Sequence, residues 1–438
     1  MDLLPVIFFV VVLICLLSGY PVAFTLGGVS VIFGLIIFGL NFFTLLPLRV
    51  WGIMTNYVLI AVPLFVFMGV MLEKSGLAEE LLETMALLFG KLKGGLAIAV
   101  LVVGALLGAS TGIVGATVVT MGVLSLPVML KRGYGKPAAT GIIMASGTLG
   151  QIIPPSIVLV LLGSVLNVPV GNLFIGAVIP GFLLVFLFFI YIVVLTFIKP
   201  KSLPAMPAVE LRKFSEEGKL KRILNAFILP SILILAVLGS IFAGIASPTE
   251  AAGVGAFGAI LLSIFRRKFT FAALKDVMMK TTSLTSMVFM ILVGAAAFGL
   301  VFRGLHGDRL LSNWILNANL EPHHFLALVM LLIFVLGFFI DFIEITFIIV
   351  PIIAPIFESL GINLLWVGIL IAMNLQTSFL TPPFGFSIFY LKGVSPPEVT
   401  TSHLYKGIIP YVFIQLTALL IIILFPNLVL WLPGILGN

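Results

Sequence analysis

Gly147-Thr148-Leu149-Gly150-Gln151-Ile152-Ile153-Pro154-Pro155 sets a polar, glycine-bearing stretch and a proline pair inside an apolar run, and Asn374-Leu375-Gln376-Thr377-Ser378-Phe379-Leu380-Thr381-Pro382-Pro383-Phe384-Gly385 does so again. Proline removes a backbone donor and stops helix propagation. Each stretch therefore predicts a helix broken part-way along. Pro154-Pro155 falls on Pro382-Pro383 at a shift of 228, and the register holds outward in the chain. Pro21 falls on Pro248 and Gly28 on Gly255 at 227, while Gly108 falls on Gly337 and Thr117 on Thr346 at 229. Such constant spacing marks an internal repeat.

The surroundings identify the solvent. Of 438 residues, 61% are hydrophobic and 9% charged, whereas a soluble domain carries about 25% charged residues. Mean hydropathy is +1.32, and apolar runs of roughly 17 to 25 residues, the length of a helical bilayer crossing, recur from Leu3 to Leu424. The chain reads as an all-α polytopic membrane protein. Its first run passes through Ser18-Gly19-Tyr20-Pro21 straight into another, without a basic leader or cleavage site, so it is expected to stay as the first helix. Cys15 is the only cysteine, which excludes an internal disulfide and a multi-cysteine metal site. The net charge of +7 is spread over short loops, which points to membrane lipid as the neighbour and not to nucleic acid. Lys199 to Arg222 holds seven Lys and Arg beside Glu210, Glu216 and Glu217 and reads as a solvated linker.

Two repeats follow, 1–198 and 223–438, joined by a cytoplasmic linker at 199–222. Each predicts three spans, an amphipathic arm, a hairpin, a broken span and a final span. In the first half the spans fall near 1–17, 18–40 and 57–72, the arm at 73–93, the hairpin at 94–131, the broken span at 138–168 and the last span at 170–198. Their counterparts are 223–243, 247–265, 282–302, 303–322, 323–357, 364–391 and 404–424. Five crossings per half give the halves opposite orientation, ten crossings in all, and the loop charges agree. With the linker inside, 20 of 23 Lys and Arg are cytoplasmic (23 less Arg49, Arg303 and Arg309), as the positive-inside rule requires. Both termini then face outward, and a tail from Phe425 lies along the interface or re-enters the membrane.

Inverted repeats with helices broken near the midplane are a plan used by secondary transporters. Broken backbone in lipid is tolerated only where it is buried in protein or lines a polar cavity. Four breaks therefore mark the expected site: Gly108 to Gly112, Gly147 to Pro155, Gly337 to Glu344, and Asn374 to Gly385. One Pro-Pro kink alone is commonly a packing feature, but four breaks paired by the repeat point to binding. Their free carbonyls suit sodium, and the half-helix N-termini can hold an anionic group. Expected cavity residues are Ser110, Thr117, Thr148 and Gln151 in the first half, and Asp341, Thr346 and Thr377 in the second. Asp341 and Glu344 are ionisable groups at membrane depth, a position that points to function.

His306, His323, His324 and His403 lack metal-ligand spacing, and no Gly-x-x-x-x-Gly-Lys-Ser/Thr loop is present to bind ATP. No metal other than sodium as coupling ion, no cofactor and no enzymatic activity is expected. The arms carry Glu79, Glu80 and Glu83 in one half and Arg309 and Trp314 in the other, as interfacial helices would.

Nearly the whole chain resembles the large membrane subunit of tripartite ATP-independent periplasmic (TRAP) transporters, the DctM-like permeases. The resemblance rests on Ser18 to Ala23, Pro63-Leu64-Phe65 with Gly69, Gly108 to Thr117, Gly147 to Ser156, Ser247-Pro248-Thr249-Glu250-Ala251-Ala252, and Asn374 to Gly385. It implies an elevator mechanism in the bacterial inner membrane and two sodium sites. By likeness the first uses oxygens near Thr111, Val114, Gly150, Ile153 and Pro155, and the second those near Gly337, Ser378, Thr381 and Phe384. The family usually has Gly where this chain has Ser378, and serines where it has Ile113 and Val114. It also implies a small four-helix membrane subunit (DctQ-like) and a periplasmic substrate-binding protein as partners, with this chain as the unfused large subunit. The stretch Asp341 to Thr346 looks more like the branch associated with 2-oxo acids and other monocarboxylates than the sialic acid branch. The expected function is sodium-coupled uptake of a small organic acid. The alternatives are a self-sufficient sodium/carboxylate symporter of the wider ion-transporter superfamily, a membrane scaffold or enzyme, and a gated channel.

Overall fold

The computed structural model describes residues 3–206, 223–317, 321–382 and 385–436. The first half runs α1 Leu4–Leu17, α2 Val22–Phe38, α3 Leu46–Met54, α4 Ala61–Lys74, α5 Leu77–Phe89, α6 Gly95–Thr111, α7 Val114–Lys131, α8 Lys136–Thr148, α9 Ile157–Leu166 and α10 Val170–Ile198. The second runs α11 Leu229–Phe242, α12 Pro248–Phe265, α13 Phe271–Gly304, α14 Gly307–Asn317, α15 Pro322–Leu336, α16 Phe342–Ile348, α17 Val350–Ser359, α18 Leu364–Leu380, α19 Phe386–Val394, α20 Thr401–Leu424 and α21 Asn427–Leu436. No strand occurs among the described residues.

The repeat is visible in the packing. Helix α2 lies along α13, and α12 lies along α4; exchanging each helix for its repeat mate turns one pair into the other. Lipid tails are as apolar as leucine, so apolar burial does not draw these helices together, and small residues that let backbones approach take over. Gly141 of α8 and Gly407 of α20 touch main chain to main chain, and a Cβ on Gly294 of α13 would stand 2.5 Å from the Ala23 carbonyl of α2. Helix α12 opens on a capping box, in which the Ser247 hydroxyl accepts from the Glu250 N–H and the Glu250 carboxylate accepts from the Ser247 N–H at 2.8 Å.

Among the described residues, length and composition single out six helical segments able to cross a bilayer, and a seventh if α16 and α17, bent by 52°, are one span. The ten crossings expected from sequence also draw on shorter apolar helices such as α1 and α2. Stretch 94–131 folds as the antiparallel pair α6 and α7, and stretch 323–357 is occupied by α15, α16 and most of α17.

Three features differ from the sequence reading. Helix α13 begins at Phe271, well before 282, because Lys275, Asp276 and Lys280 ride an amphipathic extension on which Asp276 pairs with Lys74 at 3.1 Å. The connection after residue 40 is not a loop: a 3-10 turn, Leu40–Leu45, leads through Pro47 into α3. The tail forms α21, which packs on α10 and α18 with Val429 fully buried. Of the linker, residues 207–222 lie outside the described residues.

Candidate functional site

In the first half the hairpin turns at Gly112, whose φ of +61° favours glycine and whose N–H closes on the Gly108 carbonyl at 2.8 Å. Facing it, α8 ends at Thr148, tightens into a 3-10 turn over Leu149–Gln151 and stays irregular to Ser156, where α9 begins. The two segments touch through bare backbone. A Cβ on Gly108 would lie 2.7 Å from the Gly150 nitrogen, and one on Gly150 would strike the Gly108 carbonyl. Around this contact Thr111 Oγ1 donates to the Leu107 carbonyl at 2.9 Å and lies 2.7 Å from Thr117 Oγ1. Ser110 Oγ also donates to Leu107, and Ser156 Oγ donates to the Gln151 carbonyl at 2.6 Å. The fully buried Gln151 amide has no hydrogen-bond partner among the described residues for either of its atoms.

The second half repeats the arrangement with different chemistry. Helix α15 ends before Gly337, the chain turns, and Asp341 caps α16 by accepting from the Phe342 N–H at 2.7 Å. Gly337 faces the Ser378 side chain of α18, and Ser378 Oγ donates to the Leu375 carbonyl at 2.8 Å. Thr377 Oγ1 donates to the Met373 carbonyl, and Thr381 Oγ1 to the Thr377 carbonyl at 2.7 Å. These bonds engage backbone oxygens as the helix runs out. Past the break, Ser387 Oγ ties α19 back to the Phe379 carbonyl at 2.9 Å.

The breaks of the two halves meet across the centre. Gln376 Nε2 donates to Thr148 Oγ1 at 3.4 Å, and these residues are themselves repeat mates, 228 apart. Nearby, α19 packs against α7, with the Tyr390 ring over Gly115, where a Cβ would lie 2.9 Å from the ring. Tyr390 also lies within electrostatic reach of Asp341 and Glu344. Glu344 lines a cavity of about 10 Å³ with Phe9, Val12 and Leu13 of α1, and its Oε2 has no partner among the described residues.

Thr111, Val114, Gly150, Ile153 and Pro155 therefore fall on the two touching segments of the first half, together with Ser110, Thr117, Thr148 and Gln151. Gly337, Ser378 and Thr381 fall on the equivalent segments of the second, with Asp341 and Thr377. Phe384 lies outside the described residues. Thr346 is buried one turn into α16, which packs against α9 and α13, and its hydroxyl has no partner among the described residues. Sequence reasoning missed Gln376 and Tyr390. Gln376 was detectable as the mate of Thr148 at the shift of 228, but nothing local to Tyr390 distinguishes it from an interfacial tyrosine. Among the described residues no three His, Cys, Asp or Glu gather as a metal cluster, and the breaks offer carbonyl, hydroxyl and amide oxygens.

Two touching pairs of broken helices related by an inverted repeat define the fold class of a secondary transporter. The fold is similar to that of the Alcanivorax borkumensis YdaH transporter, with a TM-score of 0.65, 17% identity and 98% of each chain covered. Residues 9–428 match the family described as Tripartite ATP-independent periplasmic transporter, DctM component. The C4-dicarboxylate TRAP transporter large permease protein DctM of Pseudomonas aeruginosa is 30% identical over 90% of each chain. The sialic acid TRAP transporter large permease protein SiaM of Vibrio cholerae is 28% identical over 95% of this chain and 96% of its own. The chain belongs to the DctM family of TRAP transporter large permeases, and it is a bacterial inner-membrane protein.

Proposed function

We propose that this permease carries a small organic acid inward with sodium, by an elevator movement, after delivery by a periplasmic binding protein and in company with a small four-helix membrane subunit. One observation carries the reading: Gly108 against Gly150 and Gly337 against Ser378 place two equivalent, oxygen-rich breaks on either side of the Thr148 and Gln376 contact. Oxygen-only sites with no thiolate or imidazole suit a hard cation, so the residues present fit sodium. Thr111, Val114, Gly150, Ile153 and Pro155 would hold one ion, and Gly337, Ser378, Thr381 and Phe384 the second. Bound there, sodium supplies positive charge that favours the substrate carboxylate. Ser110, Thr117, Thr148, Gln151, Asp341, Thr346 and Thr377 are the candidates to orient that carboxylate and its substituents.

In the elevator reading, the hairpins and broken spans move as one body against a scaffold of α2, α4, α12 and α13. Gly69 of α4 fits this role, because a Cβ there would strike the Ser110 carbonyl and the Thr111 Cα at the hairpin tip. The substrate class rests on the family, whose members carry named anions such as C4-dicarboxylates and sialic acid. The test is uptake of labelled 2-oxo acids and dicarboxylates into proteoliposomes holding this chain and its small subunit, with and without an inward sodium gradient and the cognate binding protein. Uptake that needs both supports the proposal. Sodium-driven uptake without the binding protein would assign the chain to the self-sufficient symporters.

A further inference from the structure

A cleft of about 290 Å³ lies outside the four breaks, between α3 and α13 on one side and α9 and α16 on the other. Arg49 of α3 and Arg303 near the end of α13 both line it, and no carboxylate does. Neither arginine forms an ion pair with a described residue. Arg303 Nε donates to the Gly299 carbonyl at 3.1 Å, which leaves its terminal nitrogens free for the cleft. The cleft also holds Asn56, whose Nδ2 donates to Ser164 Oγ at 3.0 Å, so the Ser164 hydroxyl keeps its own proton to donate. Every polar side chain lining the cleft therefore carries donors, four in all.

Two cations facing one cavity without a counter-charge raise the energy of the empty arrangement. Burial and the neighbouring Arg303 guanidinium both hold Arg49, on a helix outside the predicted spans, below the ordinary arginine range. The positive-inside expectation agrees: it leaves three basic residues outside, Arg49, Arg303 and Arg309, and two of them share this cleft. A planar guanidinium offers paired N–H groups that match a carboxylate, and the volume is close to the lower end of ordinary small-ligand pockets, about 300 Å³.

We propose that Arg49 and Arg303 form an extracytoplasmic carboxylate-binding site, separate from the hairpin breaks, that receives the substrate anion before it reaches them. The inference rests on the transport reading above for its choice of substrate, but the site itself is read by binding. One wall includes α13, which the elevator reading assigns to the scaffold, whereas α9 and α16 belong to the broken span and second hairpin. Movement of those elements would open the cleft and release the anion toward the breaks.

Two measurements test this on the full chain with its small subunit in phosphatidylcholine membranes. In the first, phenylglyoxal labels arginines and peptide mass spectrometry reads Arg49 and Arg303. Succinate is expected to slow labelling of both, and neutral succinamide is not; equal labelling with and without succinate overturns the site. Repeating this in vesicles doped with phosphatidylglycerol separates the sources of anion. Protection by that lipid with none by succinate makes the cleft a headgroup site and overturns the substrate assignment.

In the second, labelled succinate, pyruvate and 2-oxobutyrate are taken up in the presence of the binding protein. Arg49→Gln with Arg303→Gln is expected to raise the half-saturating concentration at least about tenfold, since two charge-assisted contacts are lost, with the maximal rate kept. Arg49→Lys with Arg303→Lys should recover only part of that loss, because it restores the charge but not the paired N–H groups. Unchanged half-saturation in the Gln pair overturns the proposal. Succinate protection of both arginines in a wild type that transports none of the three acids would sink the transport reading and leave the site standing.

Discussion

Gly108 against Gly150 and Gly337 against Ser378 are one contact made twice, 229 and 228 residues apart, and they are not made alike. The first half closes backbone on backbone, with no side chain between. The second accommodates a hydroxyl, since Gly337 leaves room for the Ser378 side chain. The charges differ too. The first tip carries Ser110, Thr111 and Thr117, all bonded or in hydroxyl contact, while the second carries Asp341 and Glu344. A repeat fixes where a break falls, and each copy then fills it independently.

Gly150→Ala should give the largest effect. Its Cβ would meet the Gly108 carbonyl and lie 2.6 Å from the Gly108 Cα, and backbone on both sides cannot rotate away. The expected cost exceeds the usual overpacking range of about 1 to 3 kcal/mol, and uptake should vanish. Thermal unfolding of purified protein checks this, and near-native stability would show that the two segments are not in rigid contact.

In the second half the same insertion can be relieved. Gly337→Ala should cost about 1 to 3 kcal/mol because its Cβ meets Ser378 Oγ and Cβ. Ser378→Gly on the same chain should recover more than half, a coupling that a double-mutant cycle measures directly. No such rescue exists for Gly150→Ala, because Gly108 has nothing left to remove. Strictly additive effects at Gly337 and Ser378 would dissolve the proposed equivalence of the two breaks.

Asp341 separates charge from structure at the second tip. As N-cap of α16 it accepts the Phe342 N–H, so Asp341→Ala should lose about 1 kcal/mol as well as uptake. Asn is as good a cap, so Asp341→Asn should hold its melting temperature while uptake still falls. Full uptake in Asp341→Asn at normal membrane expression would remove the charge from the mechanism.

Much of this was legible in the sequence because membrane physics leaves few options. Apolar runs must be helices, breaks must be sheltered, and Pro154-Pro155 and Pro382-Pro383 mark both the breaks and the repeat. What stayed hidden depends on three dimensions. Arg49 reads as a loop residue until Pro47 and the preceding 3-10 turn place it on α3, opposite Arg303 from far along the chain. Tyr390 is remote in sequence from Gly115, the glycine of α7 that its ring covers. The early start of α13 was missed because a hydropathy window ends at charged residues, whereas a helix continues through them once Lys74 pairs with Asp276. The nine residues of the first half's sets and five of the six described residues of the second lie on or beside the breaks, Thr346 being one turn into α16, but spacing alone does not say which of their oxygens face inward.

The smallest effect contrasts the entry of the second helix of each repeat. Pro21 and Pro248 are repeat mates, yet α2 starts without a side-chain cap and α12 starts on the Ser247 and Glu250 box. The box satisfies the Glu250 N–H and the Ser247 N–H, which helix geometry otherwise leaves to solvent. Thr249 Oγ1 also donates to the Tyr57 carbonyl at 3.0 Å, so this entry anchors the turn leading into α4. Ser247→Ala should therefore cost about 1 kcal/mol, seen as a lower melting temperature, with sodium-dependent uptake per folded molecule unchanged. A fall in uptake beyond the loss of folded protein would mean that the entry to α12 moves during transport, and α12 would then have to be taken out of the scaffold.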